Sequence, residues 1–389
     1  KFGCIMIHVD VAIIGSGPAG AMAAQKISTK GYSVALIERK KEVGKPVQCA
    51  EAITKFALDN TGLPVKNEWV RQKVKGVKIL LPKNKTFYSK VPGFSINRYL
   101  FDTWLTNKAV ENGADLYIGT TMKKLNKQKS SWIVTTSKDD FQAKIVVGAD
   151  GAESKTAQLT GLLQKKVYIK AFQYTFNKND ITFPISDWLC MHMDEQFQGG
   201  YGWVFPRGDE YNVGIGSVKG SLKMLKQYCK QLDFDISKHT RITAGLVPFL
   251  FSFSKRTEER VVIIGDAAGL VNPVTGGGIH SALYSGKIAG SIINKALASE
   301  DPMKINTYDT IINKSMFLHP IHRKTAHYFQ RWTNKDWDFF GNVADGLEMQ
   351  DLTLWKCFKI GLNNPKYMLR AKELLTIRKD MQLNKKYGW

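Results

Sequence analysis

Between His8 and Glu38 the apolar positions fall into two runs separated by a glycine-rich break. The first, His8-Val-Asp-Val-Ala-Ile-Ile14, is nearly continuous and β-branched, the pattern of a strand buried in a parallel sheet. The second, Ser33-Val-Ala-Leu-Ile-Glu38, is shorter and ends on a carboxylate. The intervening Gly15-Ser-Gly17-Pro-Ala-Gly20 opens a helix that runs toward Lys30. Further buried strands are predicted at 144–147 and 260–264, and lesser ones at 116–119 and 132–136. Residues 74–81 and 86–88 read as a hairpin around Pro82-Lys-Asn-Lys85. Residues 39–53 read as a loop that ends as a helix, and 66–71 as a solvated connector. A helix opens at Ser95-Ile-Asn-Arg98. From 167 to 218 the pattern is β, with strands at 167–176, 188–193, 199–205 and 211–218, and a turn at Arg207-Gly-Asp209. A long helix over 278–297 follows from Ile279, Ala282, Leu283, Gly286, Ala289, Gly290 and Ile293 at helical spacing. The remainder, to Trp389, reads as helical.

The fold class is therefore α/β with an α+β second part. Segments 1–73, 95–155 and 255–298 make a discontinuous nucleotide-binding domain. Segments 74–94 and 156–254 make a β-rich substrate domain, and 299–389 a helical C-terminal region. The glycine spacing carries chemistry once it is placed between a strand and a helix. Gly15 allows the tight turn, Gly17 lets the backbone approach a pyrophosphate, and Gly20 lets the helix pack close to the strand, with Ala19 between them a candidate cofactor contact. The helix N-terminus turns free N–H groups and a positive dipole end toward phosphate. Glu38 stands where a carboxylate holds ribose hydroxyls.

Composition narrows the setting. Five scattered cysteines without CxxC spacing favour a reducing compartment over a disulfide or zinc framework. His319-Pro-Ile-His322 and His327 are not read as a metal site, because Pro320 interrupts the helical face and no carboxylate or cysteine cluster is near in sequence. The strand begins almost at the first residue, and no apolar run reaches about 18 residues. The expectation is a cytoplasmic protein without signal peptide or membrane span. The net charge of +22, from 56 basic and 34 acidic residues, favours anionic partners. No nucleic-acid motif accompanies it. The C-terminal third mixes Phe317, Tyr328, Phe329, Trp332, Trp337, Phe339, Phe340 and Trp355 with Arg323, Lys324, Arg331, Lys359, Lys366 and Arg370. Such a mixture can rest on an anionic membrane, so peripheral association is expected.

Three further motifs, Gly148-Ala-Asp150-Gly151, Gly265-Asp266 and Thr275-Gly-Gly-Gly278-Ile279, complete a set with the opening fingerprint. Over roughly residues 8–298 the chain resembles flavoproteins of the para-hydroxybenzoate hydroxylase fold. The resemblance implies FAD. It places Asp266 on the ribityl chain and Gly277, Gly278 and Ile279 at the N1–C2=O edge of the flavin. It makes Arg98, Met122 and Asp150 cofactor contacts as well.

Two other stretches, Gly44-Lys-Pro-Val-Gln-Cys49-Ala-Glu-Ala52 and Gly199-Gly-Tyr201-Gly-Trp203-Val-Phe205-Pro206, closely resemble the geranylgeranyl reductase family. That resemblance implies an FAD-dependent reductase saturating prenyl chains of isoprenoid lipids or prenyl diphosphates. A flavin monooxygenase acting on an apolar substrate is the alternative. The resemblance puts Cys49, Ala50 and Ala52 beside the flavin. Tyr201, Trp203, Phe205 and Pro206 become the substrate box, and Cys49 and Tyr201 the candidate catalytic groups. On a strand the three aromatic rings share one face, a surface suited to a flexible hydrocarbon. No second strand–GxGxxG–helix unit is present, so the electron donor is expected to be ferredoxin or a transiently bound NAD(P)H.

Overall fold

A computed structural model describes residues 5–184, 187–348, 351 and 370–386. The opening apolar run becomes Met6–Ile14, the centre of an eight-stranded sheet. Asp140–Gly148 lies parallel on one side of it and Val34–Ile37 on the other, with Val11 opposite both Ile145 and Val34. Ala114–Tyr117 extends the sheet beyond Val34–Ile37, and Val261–Ile263 beyond Asp140–Gly148, both parallel. Trp132–Thr136 and Met122–Lys127 add an antiparallel branch. The buried aliphatic faces leave water no access to the ladder, as a parallel sheet requires.

Helix Pro18–Ser28 starts with proline in its first turn and packs against helix Ile279–Ala298, close to the 278–297 expected. Their backbones touch. A Cβ at Gly286 would collide with the Ala19 carbonyl, and one at Gly290 would crowd Ala23 and Lys26. The glycines in that helical repeat thus serve close packing.

The second eight-stranded sheet runs in the order His239–Phe253, Leu163–Asn177, Glu210–Ser217, Tyr201–Arg207, Trp188–His192, Gly76–Leu81, Lys85–Ser89, Leu347–Glu348. It is antiparallel apart from two parallel pairs, Trp188–His192 with Gly76–Leu81 and Leu347–Glu348 with Lys85–Ser89. The fifteen-residue edge strand His239–Phe253 has no counterpart in the sequence reading. Its residues alternate only between exposed and half-buried over 239–247, and it carries Pro248, which an edge strand tolerates.

Two local readings are corrected. Residues 39–53 end in strand Ala52–Thr54, which pairs with Gly93–Ile96, and the helix begins only at Lys55. Residues 66–71 are not a solvated connector. Trp69 within them is fully buried edge-on against Phe101, and strand Val70–Val74 follows.

The C-terminal aromatic residues are also core. Helices Pro320–Phe329 and Asn334–Ala344 bury Phe329, Trp332, Trp337, Phe339 and Phe340 with Leu81 and Phe87 of the hairpin. Trp332 and Trp337 meet edge-on at 4.7 Å, and Phe340 meets Phe87 at 5.7 Å. These rings cannot line a membrane interface, because covering the far end of the second sheet already removes them from solvent. Phe317 and Tyr328 are half-buried, whereas Arg323, Lys324 and Arg331 are exposed. Trp355, Lys359 and Lys366 lie outside the described residues, as do Cys4 and Cys357. Among the described residues no helix is long and apolar enough to cross a membrane.

Candidate active site

A cavity of about 600 Å³ lies between the two sheets. The first sheet contributes its strand ends. Gly15 takes a φ of +104°, and a Cβ there would collide with the Ala149 carbonyl, so only glycine makes this turn. Gly17 lines the cavity, and a Cβ on it would meet no protein atom within 4 Å. The space beside that backbone is open to a ligand. Ala19 lines the cavity as well, while Gly20 lies behind it, packed on the Gly15 carbonyl.

Glu38 is buried at the end of its strand. Its Oε2 accepts from the backbone and hydroxyl of Ser16 at 2.9 and 3.0 Å, and its Oε1 from the Lys40 N–H at 2.8 Å. Met122, with Thr120 and Thr121, forms the wall on this side. Asp150 borders the cavity, but its carboxylate is spent on Ser154 and Thr156, capping the short helix Lys155–Leu159.

The opposite end is built by the turn 272–278. Gly277, Gly278 and Ile279 line the cavity, and Gly278 precedes helix Ile279–Ala298 without any side-chain cap. Gly17 likewise precedes its helix without one. Two uncapped helix N-termini therefore face one cavity, a donor set for an anion at each end. Asp266 stands beside Gly278, and burial pushes its carboxyl up, opposed in part by Arg98. Arg98 holds Asp102 in a bidentate pair at 2.9 and 2.8 Å. Burial works to lower its pKa, but Asp102 and Cys49 outweigh burial and hold it above its ordinary value.

The loop from Cys49 to Ala52 crosses the middle. Cys49 Sγ accepts from the Glu51 N–H at 3.2 Å. Burial raises the thiol above its ordinary range, and the nearby Arg98 charge offsets this only partly. The cysteine thus keeps its proton at neutral pH. Glu51 carries no signal of its own in the sequence, yet it holds the loop. It is fully buried at a φ of +68°, and its carboxylate accepts from Arg207, Arg241, Asn212 and the Arg98 N–H. Arg207 and Arg241 lie 156 and 190 residues away, so no local pattern reveals the cluster.

The second sheet supplies the remaining wall. Tyr201, Trp203 and Phe205 share one face and line the cavity, while Val204 turns into the core on the other side. Pro206 follows Val204 in the alternation. It stands off the cavity, and its carbonyl accepts from Ser95. The Trp203 indole occupies the place a Cβ of Gly214 would take. Its Nε1–H donates to Gln173 Oε1 at 3.1 Å, and Gln173 Nε2 in turn donates to the Cys49 carbonyl at 3.4 Å. Gln173 is a second residue missed in the sequence, since one glutamine on a strand carries no signal. Tyr201 donates its hydroxyl to the Thr275 carbonyl, and burial pushes its phenol well above the ordinary range.

Among the described residues no group of three or more histidine, cysteine or acidic side chains is disposed to hold a metal. Pro320 is the first residue of helix Pro320–Phe329 and does not interrupt it. A carboxylate does reach His322, from Asp380, 58 residues on. It forms a pair with the histidine.

The fold, with its glycine-lined strand ends, two open helix N-termini and Asp266 beside Gly278, is that of FAD-dependent oxidoreductases of the para-hydroxybenzoate hydroxylase type. Fold comparisons agree. The chain superposes on a geranylgeranyl bacteriochlorophyll reductase-like protein from Thermoplasma acidophilum with a TM-score of 0.83, covering 95% of this chain and 100% of that one at 24% identity. For p-nitrophenol 4-monooxygenase of Pseudomonas putida the TM-score is 0.69, at 15% identity and 98% and 99% coverage. Residues 10–180 match the family model described as lycopene cyclase protein. The chain is 32% identical to digeranylgeranylglycerophospholipid reductase 2 of Methanosphaera stadtmanae, over 77% of this chain and 81% of that protein. It is 31% identical to digeranylgeranylglycerophospholipid reductase 1 of Methanopyrus kandleri, over 95% and 98%. The chain belongs to the digeranylgeranylglycerophospholipid reductase family.

Proposed function

We propose that this chain saturates carbon–carbon double bonds of geranylgeranyl or related prenyl chains, in isoprenoid lipids or prenyl diphosphates. The observation that carries this reading is the continuity of one cavity from the cofactor-binding glycines to the strip Tyr201, Trp203, Phe205. A hydrocarbon offers area and no hydrogen bonds, and aromatic faces match it. Reduced FAD supplies a hydride when bound. The protein's part is to hold an alkene in place, keep water out and provide a proton to the second carbon.

Cys49 and Tyr201 both carry protons into the cavity. Tyr201 already donates to Thr275, and burial, with Cys49 beside it, opposes the phenolate that release of its proton would leave. Cys49 has Arg98 beside it, whose charge stabilises a thiolate left behind. Cys49 is therefore the better placed donor, directly or through water.

The redox partner is a ferredoxin or NAD(P)H. The net charge of +22 supports an acidic protein donor, and equally peripheral attachment of a cytoplasmic protein to an anionic membrane. With the aromatic rings buried, that attachment rests on charge. Co-sedimentation with anionic liposomes at low salt and release at high salt is the expected behaviour, and no binding at low salt would exclude it.

The test of function is anaerobic. Chemically reduced holoenzyme is mixed with unsaturated archaeal-type ether lipid or with geranylgeranyl diphosphate, and the product is weighed by mass spectrometry. A gain of two hydrogens per double bond is expected. No gain with either substrate, or oxygen uptake coupled to substrate in air, would overturn the reading.

A further inference from the structure

The turn 272–278 is organised around one side chain. Asn272 Oδ1 accepts from the N–H groups of Val274 and Thr275 at 2.9 and 3.3 Å. The Asn272 N–H donates to the Gly277 carbonyl at 3.0 Å, and its own carbonyl accepts from Gly276 N–H at 2.9 Å. These bonds fix the backbone from Val274 to Gly276, and the Gly277 N–H is itself taken up by Thr275 Oγ1 at 3.2 Å, so the turn presents Gly278 and the helix start to the cavity. They require the Asn272 amide to point its oxygen at the turn, which leaves its NH2 pointing away.

That NH2 is taken up by the C-terminal helix Ala371–Lys386. Asn272 Nδ2 donates to Asn384 Oδ1 at 2.9 Å. Asn384 Nδ2 donates to Asp380 Oδ1 at 3.2 Å, and the same oxygen faces His322 Nδ1 at 2.5 Å. The other ring nitrogen of His322 faces the Met316 carbonyl at 2.9 Å. All four side chains are buried. Each member fixes the orientation of the next, because an amide that accepts on one side must donate on the other. None of them lies among the groups used for hydride or proton delivery.

We infer that Asn384 is a positioning residue for the flavin-binding turn: through Asn272 it fixes the backbone of residues 274–276, which carries the Gly277–Gly278 edge. The pair His322–Asp380 anchors the chain of bonds at its far end. The C-terminal helix is therefore part of the cofactor site, although only Asn272 of the four reaches the cavity. The inference rests on the FAD reading of the site and not on the identity of the substrate.

His322 and Asp380 are poor places to test it, since removing either leaves the other buried and uncompensated. Asn384 allows a cleaner contrast. Asn384→Leu removes both bonds at similar volume. Asn384→Asp keeps an acceptor for Asn272 and, with the proton that two adjoining buried carboxyls must share, a donor to Asp380. The readouts are FAD release from the holoenzyme, followed by free-flavin fluorescence, and the absorbance spectrum of the bound flavin. Asn384→Leu is expected to speed FAD release about fivefold, the worth of roughly one net hydrogen bond, and to shift the bound-flavin spectrum. Asn384→Asp is expected to stay near wild type in both, even if it lowers the melting temperature. Wild-type FAD release and spectrum in Asn384→Leu would overturn the inference. So would indistinguishable behaviour of the two variants, which would mark Asn384 as merely structural. Failure to reduce prenyl substrates would leave these flavin readouts intact, so the two proposals fail separately.

Discussion

Where the first eight-stranded sheet borders the cavity it offers Gly15, Gly17 and Gly151, whereas the second offers Gln173, Tyr201, Trp203 and Phe205. The first border is chiefly backbone, with the Glu38 carboxylate at its strand end, and the second chiefly side chains. Pyrophosphate has a fixed shape and many acceptors, and it is best met by N–H groups at fixed positions, while a ribose, which brings hydroxyl donors, suits the Glu38 carboxylate. A prenyl chain is flexible and apolar, and it needs a smooth surface of adjustable area. The difference predicts how each half responds to substitution. Changes in the first sheet should act as all-or-none geometry, and changes in the second as graded losses of packing.

The largest effect is expected at Gly15. Gly15→Val places a side chain where the φ of +104° disfavours it and where the Ala149 carbonyl already lies. The expected outcome is loss of FAD and of soluble protein. Gly17→Ala separates cofactor from fold, because its Cβ meets no protein atom. It should yield folded protein that purifies colourless or with FAD far below stoichiometric. Full flavin content in Gly17→Ala would break the assignment of the pyrophosphate to this turn.

The next effect belongs to the layer that closes the second sheet. Trp337→Ala removes a buried ring that packs on Phe329 and Trp332, and should cost about 3–5 kcal/mol of unfolding free energy, measured by urea denaturation. Liposome binding measured under native conditions should be unchanged. If Trp337→Ala instead abolished liposome binding at undiminished stability, the interfacial reading of these rings would return.

This contrast also explains what was legible beforehand. The first sheet carries its fold in local signals: unbroken aliphatic runs, glycines between strand and helix, and a carboxylate at the next strand end. The long helix showed its face by its period. In the second sheet the alternation of Tyr201, Trp203 and Phe205 placed the rings on one face, but their role came from resemblance and not from periodicity. The same alternation turns Pro206 away. Phe329, Trp332, Trp337, Phe339 and Phe340 are ambiguous in sequence, because aromatic residues mixed with cations suit both a membrane surface and a helix packed on a sheet, and their packing on the hairpin 76–89 decides between them. Glu51 with Arg207 and Arg241, and His322 with Asp380, join residues far apart in sequence. No window of sequence holds both partners.

Burial also holds a histidine neutral beside each of the two sheets. His280, at the first turn of helix Ile279–Ala298, is lowered to about 4 by burial and is placed by Asn60 at 2.9 Å. His192, in the second sheet, is likewise lowered to about 4 by burial and packs edge-on against Tyr228 at 5.4 Å. A depressed histidine means that the unfolded chain binds more protons between the two pKa values. The stability these histidines preserve is present above about 6.5, the unfolded value, and is lost as pH falls toward 4. Each contributes a loss of about 3 kcal/mol at most across that window. His192→Phe and His280→Phe should each flatten the fall in stability between pH 6.5 and 4, read by urea titration at a series of pH values. An unchanged slope in both would show that other groups govern the acid limb.

The smallest effect tests the second sheet alone. Trp203→Phe keeps an aromatic face but removes the Nε1–H that donates to Gln173, leaving the buried Gln173 Oε1 without that donor. A lost donor of this kind costs about 1–3 kcal/mol. Gln173 also reaches the Cys49 carbonyl, so part of the cost should appear as a looser Cys49 loop. The expected result is a rise of up to about tenfold in KM for a prenyl substrate, a smaller fall in kcat, and unchanged FAD release. FAD release altered as strongly as KM would show that this wall serves the cofactor too. The division between a sheet that binds chiefly with backbone and one that binds chiefly with side chains would then fail at the residue chosen to represent it.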